Sequence, residues 1–162
     1  MKLSEVIKLY RPTTTSRIDL STYGTKCIHY GDIYKMYSNK VISSTQILNS
    51  FTKKVKQEKI IKLNAIIFPD VTESVSDFGH FVYIEYDGEA YINGTHTFAI
   101  TSNKINLRYL FYYLQSNNTR ARLKQLLKGD TVFQLSFNDM LNLDISNAHS
   151  IAIQQHIVDI IT

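Results

Sequence analysis

The hydrophobic period of this chain changes once, near residue 102, and that change sets the class of fold. Before it, apolar residues come in strand-length blocks: Ala65-Ile66-Ile67-Phe68, stopped by Pro69; Phe81 to Tyr86; Ala90 to Asn93, broken by Gly94; and Thr95 to Thr101. These blocks are rich in β-branched and aromatic residues, which suit a pleated surface. Asp87-Gly88 predicts a hairpin turn between the second block and the third. After residue 102 the spacing turns helical. In 105–116, Leu107, Leu110, Phe111 and Leu114 fall on one face, and a second helix over 119–128 carries Leu123, Leu126 and Leu127 and stops at Gly129. Ser136 with Asp139 has the spacing of a helix cap, Leu143 to Ser146 reads as a last short strand, and a further helical period runs from Ser150 to the end. Strands followed by helices, without βαβ alternation, give an α+β fold: a twisted mixed or antiparallel sheet with a C-terminal group of helices.

The first quarter is less regular. Leu3, Val6, Ile7 and Tyr10 recur at helical spacing ahead of Pro12 and predict a helix. The hydroxyl-rich segment 13–25 reads as loop, 26–34 as a short strand closed by a Gly31-Asp32 turn, and 35–50 as irregular. The lysine-rich stretch 51–62 fits a loop, a ragged strand or an exposed helix.

Charge is divided unevenly. Residues 1–62 hold twelve Lys/Arg and four Asp/Glu, a net of +8, whereas 63–162 hold six and ten, a net of −4, giving +4 in all. A basic half joined to an acidic one suits a face for a polyanion and another for protein or solvent, though solvated surface charge gives the same pattern. The lone Cys27 excludes an internal disulfide and fits a reducing cytoplasm. It reads as a buried apolar residue or, with no partner constellation, less readily as a nucleophile. No run of about eighteen apolar residues exists to span a membrane.

The motifs of common enzymes are missing. There is no GxGxxG or other phosphate-cradling glycine loop, and no GxSxG elbow. Asp70 after Pro69, with Glu85-Tyr86-Asp87 downstream, has the outline of a metal-dependent nuclease, but Asp87 stands where that chemistry needs a lysine. The five histidines lack metal-ligand spacing, and the acidic residues of 70–89 lack that of a calcium loop. The expectation is a binding module without catalysis, metal or cofactor.

Several blocks occur in an order that resembles a known family. They are Tyr91-Ile92-Asn93-Gly94-Thr95, the helix Tyr109-Leu110-Phe111-Tyr112-Tyr113-Leu114, the stretch Gly129-Asp130-Thr131-Val132-Phe133-Gln134-Leu135-Ser136, then Leu143-Asp144-Ile145, and finally Ile153-Gln154-Gln155-His156-Ile157. Together they are similar to a target-recognition domain of type I restriction-modification specificity subunits. The chain departs from that pattern at Leu63-Asn64, where the family has Gly-Asp, and at His149-Ser150-Ile151, where it has prolines.

The resemblance implies a non-catalytic role. Residues 1–149 would form a domain that reads one half-site of double-stranded DNA, and 150–162 would begin a spacer or dimerisation helix. The partners implied are methyltransferase subunits, in some systems restriction subunits, and a second recognition domain or a second copy met through that helix. S-adenosylmethionine and ATP would bind those subunits and not this chain. Two other readings fit the composition: a module that binds acidic protein, and the recognition fragment of a larger methyltransferase or nuclease.

DNA readers need cations for phosphates and forked or amide groups for base edges. Lys53, Lys54, Lys56 and Lys59 put four cations into seven residues and are candidate phosphate contacts, or else a solvated surface. Arg11 and Arg17 flank a threonine-rich loop. Thr72 and Ser74 follow Pro69 in a loop between strands. Asn93, Thr95 and His96 surround Gly94, in a close backbone approach or a plain turn. Thr131 and Gln134 follow Gly129, and Gln134 either reads adenine or caps a neighbouring backbone group. The tyrosines at 109, 112 and 113 read as core or interface before a stacking platform. Ile153, Ile157, Ile160 and Ile161 form the candidate partner face of the last helix.

Overall fold

The structure is a computed structural model that describes residues 1–146 and 148–162. In chain order its strands are β1 (Lys8–Tyr10), β2 (Leu20–Ser21), β3 (Thr25–Ile28), β4 (Lys40–Ser43), β5 (Ser50–Phe51), β6 (Ala65–Pro69), β7 (Val71–Thr72), β8 (Val82–Glu85), β9 (Tyr91–Asn93), β10 (Thr97–Thr101) and β11 (Phe133–Gln134). The helices are α1 (Tyr30–Asp32), which runs on as one π-helical turn through Tyr37, then α2 (Leu107–Gln115), α3 (Asn117–Leu126), α4 (Phe137–Leu141) and α5 (Ile151–Ile161).

A five-stranded sheet in the order β1-β10-β6-β8-β4 forms the centre, antiparallel except where β4 runs parallel to β8. The expected mixed sheet with C-terminal helices is what the chain forms. Every residue of β6 is buried, because the sheet is covered on both sides. Period-two alternation then sorts its side chains. Ile66 and Phe68 join Phe98, Ile100 and Tyr83 in the core beneath α2, α3 and α5, while Ala65 and Ile67 join Val82, Ile84, Ala99 and Tyr91 on the opposite side. A four-stranded sheet, β2-β5-β3-β9, and the short β7/β11 ribbon lie outside this centre.

α2 begins where the sequence places it. The Asn106 side chain caps it by accepting from Tyr109 N–H at 3.0 Å, and Leu107, Leu110, Phe111 and Leu114 are buried. Tyr109 is buried too, its hydroxyl meeting His149 Nδ1 at 3.0 Å, so it is core and no stacking platform. α5 docks on α2 through Val158 and Gln154, whose amide accepts from Asn106 N–H and donates to His149 carbonyl oxygen. Among the described residues no helix is long and apolar enough to cross a membrane.

Five expectations fail. Residues 3–10 are not a helix: after one 3-10 turn at Leu3–Glu5 the chain extends as β1, with Leu9 opposite Ile100. A stretch this short is marginal as a helix, and a vacant edge of the central sheet supplies backbone partners instead. Asp87-Gly88 does not close a hairpin, because β8 stays in the central sheet and β9 crosses to pair in parallel with β3. The Asp87 carboxylate instead accepts from the Ser44 hydroxyl and from the Thr45 backbone N–H and hydroxyl, which hold it below the usual carboxylate range. Residues 143–146 form no strand, only a bridge between Asp144 and Lys2. In addition, Gly31-Asp32 begins a helical turn instead of a reverse turn, and 35–50 contains β4 and a 3-10 turn.

Candidate nucleic-acid interface

Thr95, Lys53 and Lys59 meet the segment Arg11–Asp19, which itself carries Arg11 and Arg17. Gly94 makes this possible, since a Cβ there would stand 2.6 Å from Thr15 Oγ1. Thr15 and Thr95 then lock together: Thr95 Oγ1 accepts from Thr15 N–H at 2.8 Å and donates to Thr15 carbonyl oxygen at 2.9 Å, while Thr95 N–H donates to Thr15 Oγ1. Arg17, on the next turn, donates to His29 Nδ1 at 3.2 Å and lies 3.9 Å from Asp32, with its side chain still 58% exposed. Burial and the Arg17 charge lower the His29 pKa, so the ring is neutral near pH 7, and Nδ1 serves as acceptor for both Arg17 and Gly31 N–H.

The lysine-rich segment is anchored to the same loop at both ends. Lys53 pairs with Asp19 at 3.3 Å, and Lys59 Nζ donates to the carbonyl oxygens of Arg11 and Pro12 at 3.3 Å. Lys54 and Lys56 between them are exposed. The segment itself is irregular around one 3-10 turn at Gln57–Lys59.

Beyond Thr95 the surface continues through His96 to the β7/β11 ribbon. His96 is exposed and holds φ +61°, a conformation uncommon for residues other than glycine. Its Nδ1 lies 3.6 Å from Asp70 Oδ1, and Tyr30 stands edge-on to its ring. Gln134 on β11 donates to Asp70 Oδ2 at 3.4 Å. Asp70 is 6% exposed, and burial raises its pKa against the lowering influence of Gln134 and His96. Thr131 and Val132 sit at the exposed tip of a loop whose ends, Lys128 and Gln134, bond backbone to backbone. Tyr30, Tyr34, Thr72, His96 and Val132 line a cavity of about 440 Å³ beside it.

Some predicted contacts are withdrawn from this surface. Asn93 is 1% exposed, and its amide donates to the carbonyl oxygens of Tyr10 and Thr97, tying β1 to the start of β10. The buried Thr72 hydroxyl closes a local turn with the backbone of Ser74, leaving Ser74 exposed. Arg11, by contrast, stays exposed, with its guanidinium over the Phe137 ring, 3.6 Å from its centroid. Cys27 is buried and its thiol is pushed up to about 12, so it is protonated and unreactive near neutrality. Sequence reasoning missed His29, Tyr30 and Thr15, and weighed Asp70 only as a nuclease acid or a calcium ligand. The partners of Asp70 lie 26 and 64 residues away, which no local pattern reveals.

Of the predicted partner face, Ile153, Ile160 and Ile161 are exposed, whereas Ile157 packs against the core beneath α2. Another groove, about 870 Å³, lies elsewhere, between 4–8, 62–64 and 101–108, and contains none of the expected site residues. Among the described residues no group of three or more His, Cys, Asp and Glu could hold a metal ion.

Comparison with known proteins places this arrangement. No significant match is found among curated protein sequences. Among solved structures, the fold is similar to the S subunit of the type I restriction-modification system from M. genitalium, with TM-score 0.56 and 11% identity over 99% of this chain and 37% of that one. It is also similar to the HsdS subunit from Thermoanaerobacter tengcongensis, with TM-score 0.63 and 12% identity over 99% and 35%. A third similar chain, from a structure describing complex assembly and conformational transition of the type I R-M system, gives TM-score 0.67 and 12% identity over 98% and 36%. The chain therefore spans little more than a third of the length of these neighbours. The family described as type I restriction modification DNA specificity domain matches residues 1–162, and the chain belongs to it.

Proposed function

We propose that this chain reads one half-site of double-stranded DNA and directs modification subunits, in some systems restriction subunits as well, to it, without catalysing a reaction itself. The observation that carries this reading is the gathering of exposed polar and cationic side chains from segments far apart in sequence. Loop 11–19 touches the lysine segment and Thr95, and His96 is linked to Gln134 of the 128–134 loop through Asp70. Two groups suited to base edges, Arg17 and Gln134, are each held by a second side chain, which limits the entropy they lose on binding.

Division of labour follows from this placement. Lysines give an affinity independent of sequence, and the held side chains give discrimination. Gln134→Ala is thus expected to cost about 1–3 kcal/mol of discrimination at one base pair and leave binding to random duplex nearly unchanged. Titration of a duplex selected from a random library, against a scrambled duplex, measures both. Equal loss on the two would place Gln134 outside base readout. Plasmid incubated with the chain, Mg²⁺, ATP and S-adenosylmethionine is expected to stay uncut and unmethylated; turnover that follows the purified chain would contradict the non-catalytic assignment.

A further inference from the structure

Asp70 is the least expected member of this surface. It is a carboxylate at 6% exposure with one oxygen, Oδ1, that no donor reaches within hydrogen-bond geometry. Such groups are uncommon in native proteins, and where they persist a function often keeps them. Its backbone is pinned on both sides, by N–H donation to His96 carbonyl oxygen at 3.0 Å and by acceptance from Leu135 N–H at 2.8 Å. Its side chain faces two groups from opposite segments, the Gln134 amide and the His96 ring. His96 meanwhile holds a left-handed backbone conformation, a cost for a residue with a side chain. Burial cost and backbone strain converge on the same few atoms.

The geometry points to Asp70 as the positioning residue of a base-reading unit whose ligand is an adenine edge in the major groove. This rests on the DNA-reading function proposed above. One Gln134 N–H is committed to Asp70 Oδ2. The other N–H and the carbonyl oxygen have no partner among the described residues, and Gln134 is exposed on its strand. That pair of one donor and one acceptor is the complement of adenine N7 and N6–H₂. Without Asp70 the amide would rotate freely and could present its donor and acceptor in either order. Asp70 therefore acts through Gln134 and need not touch DNA.

The test compares the wild-type chain with Asp70→Asn and Gln134→Ala, each used to select from a randomised duplex library. The wild type is expected to yield a consensus containing an adenine at which both variants lose discrimination by about tenfold or more, with other positions intact. Replacing that adenine by 7-deazaadenine removes N7 and is expected to weaken the wild type similarly, but not Gln134→Ala. Asp70→Asn should bind random duplex at least as tightly as the wild type, since it removes a negative charge, which a general loss of structure would not allow. Asp70→Ser serves as the second variant should the first not fold. If the wild type selects a consensus and the Asp70 variants keep it at every position, the positioning role is overturned while DNA reading stands. Loss at a base other than adenine, or equal 7-deazaadenine sensitivity in Gln134→Ala, overturns the ligand assignment. A wild type with no consensus overturns DNA reading, and this inference with it.

Discussion

Replacing Lys53, Lys54, Lys56 and Lys59 together by Gln is expected to weaken binding to every duplex alike and to flatten its dependence on salt. Each phosphate neutralised contributes a slope of about 0.9 in log K against log salt, so four contacts account for about 3.6. Over a fourfold change in salt, the variant should lose about a hundredfold less affinity than the wild type. The structure grades the four residues. Lys54 and Lys56 are exposed without an ion-pair partner among the described residues, whereas Lys53 is shared with Asp19 and Lys59 is bound to the carbonyls of Arg11 and Pro12. The double variant of Lys54 and Lys56 should therefore remove a slope of about 1.8 while leaving the 11–19 loop anchored. Base preference should survive the double change, which keeps both anchors of the loop. An unchanged slope would take the segment off the DNA face. The other basic stripe, on α3, is a poorer candidate, because Arg120, Arg122 and Lys124 are committed to the carbonyl oxygens of Gly79, Asp144 and Ser76.

The second large effect concerns α5. Ile153→Asp, Ile160→Asp and Ile161→Asp combined should leave the chain folded and abolish its assembly, whether with modification subunits or with a second recognition domain. All three side chains are exposed, between 47% and 71%, and an exposed apolar row on a helix is the usual form of a docking face. Ile157→Asp should behave differently, destabilising the fold by about 2 kcal/mol or more, since it puts a charge against the core beneath α2. Urea unfolding of each variant, with sedimentation and co-purification of modification subunits, separates the two. Unfolding of the triple variant would place those isoleucines in the domain's own core, and intact assembly would remove the helix as a partner surface.

The parts of the fold that were legible in the sequence are those where one element settles its own conformation. β6 is a solid apolar block ended by Pro69, and α2 carries both its buried face and its Asn106 cap within a dozen residues. What stayed hidden depended on partners far along the chain. Residues 3–10 satisfy a helical period locally, yet the free edge of β10 decides for a strand. Asp87-Gly88 is a good hairpin turn, yet Ser44 and Thr45 claim the carboxylate. The candidate site divides in the same way. Clustered lysines and glycine-flanked loops mark a surface, but which side chains face outward depends on packing. Asn93 turns inward to Tyr10 and Thr97, and Asp70 enters through His96 and Gln134.

Whether this chain reads the sequence of double-stranded DNA is decided by selection from a randomised duplex library followed by salt-dependent titration. A sequence reader is expected to select a single asymmetric consensus, bound at least about 10³-fold more tightly than scrambled duplex at physiological salt, with affinity for both duplexes falling steeply as salt rises. Equal affinity for selected and scrambled duplex, or binding that salt does not change, would contradict sequence reading.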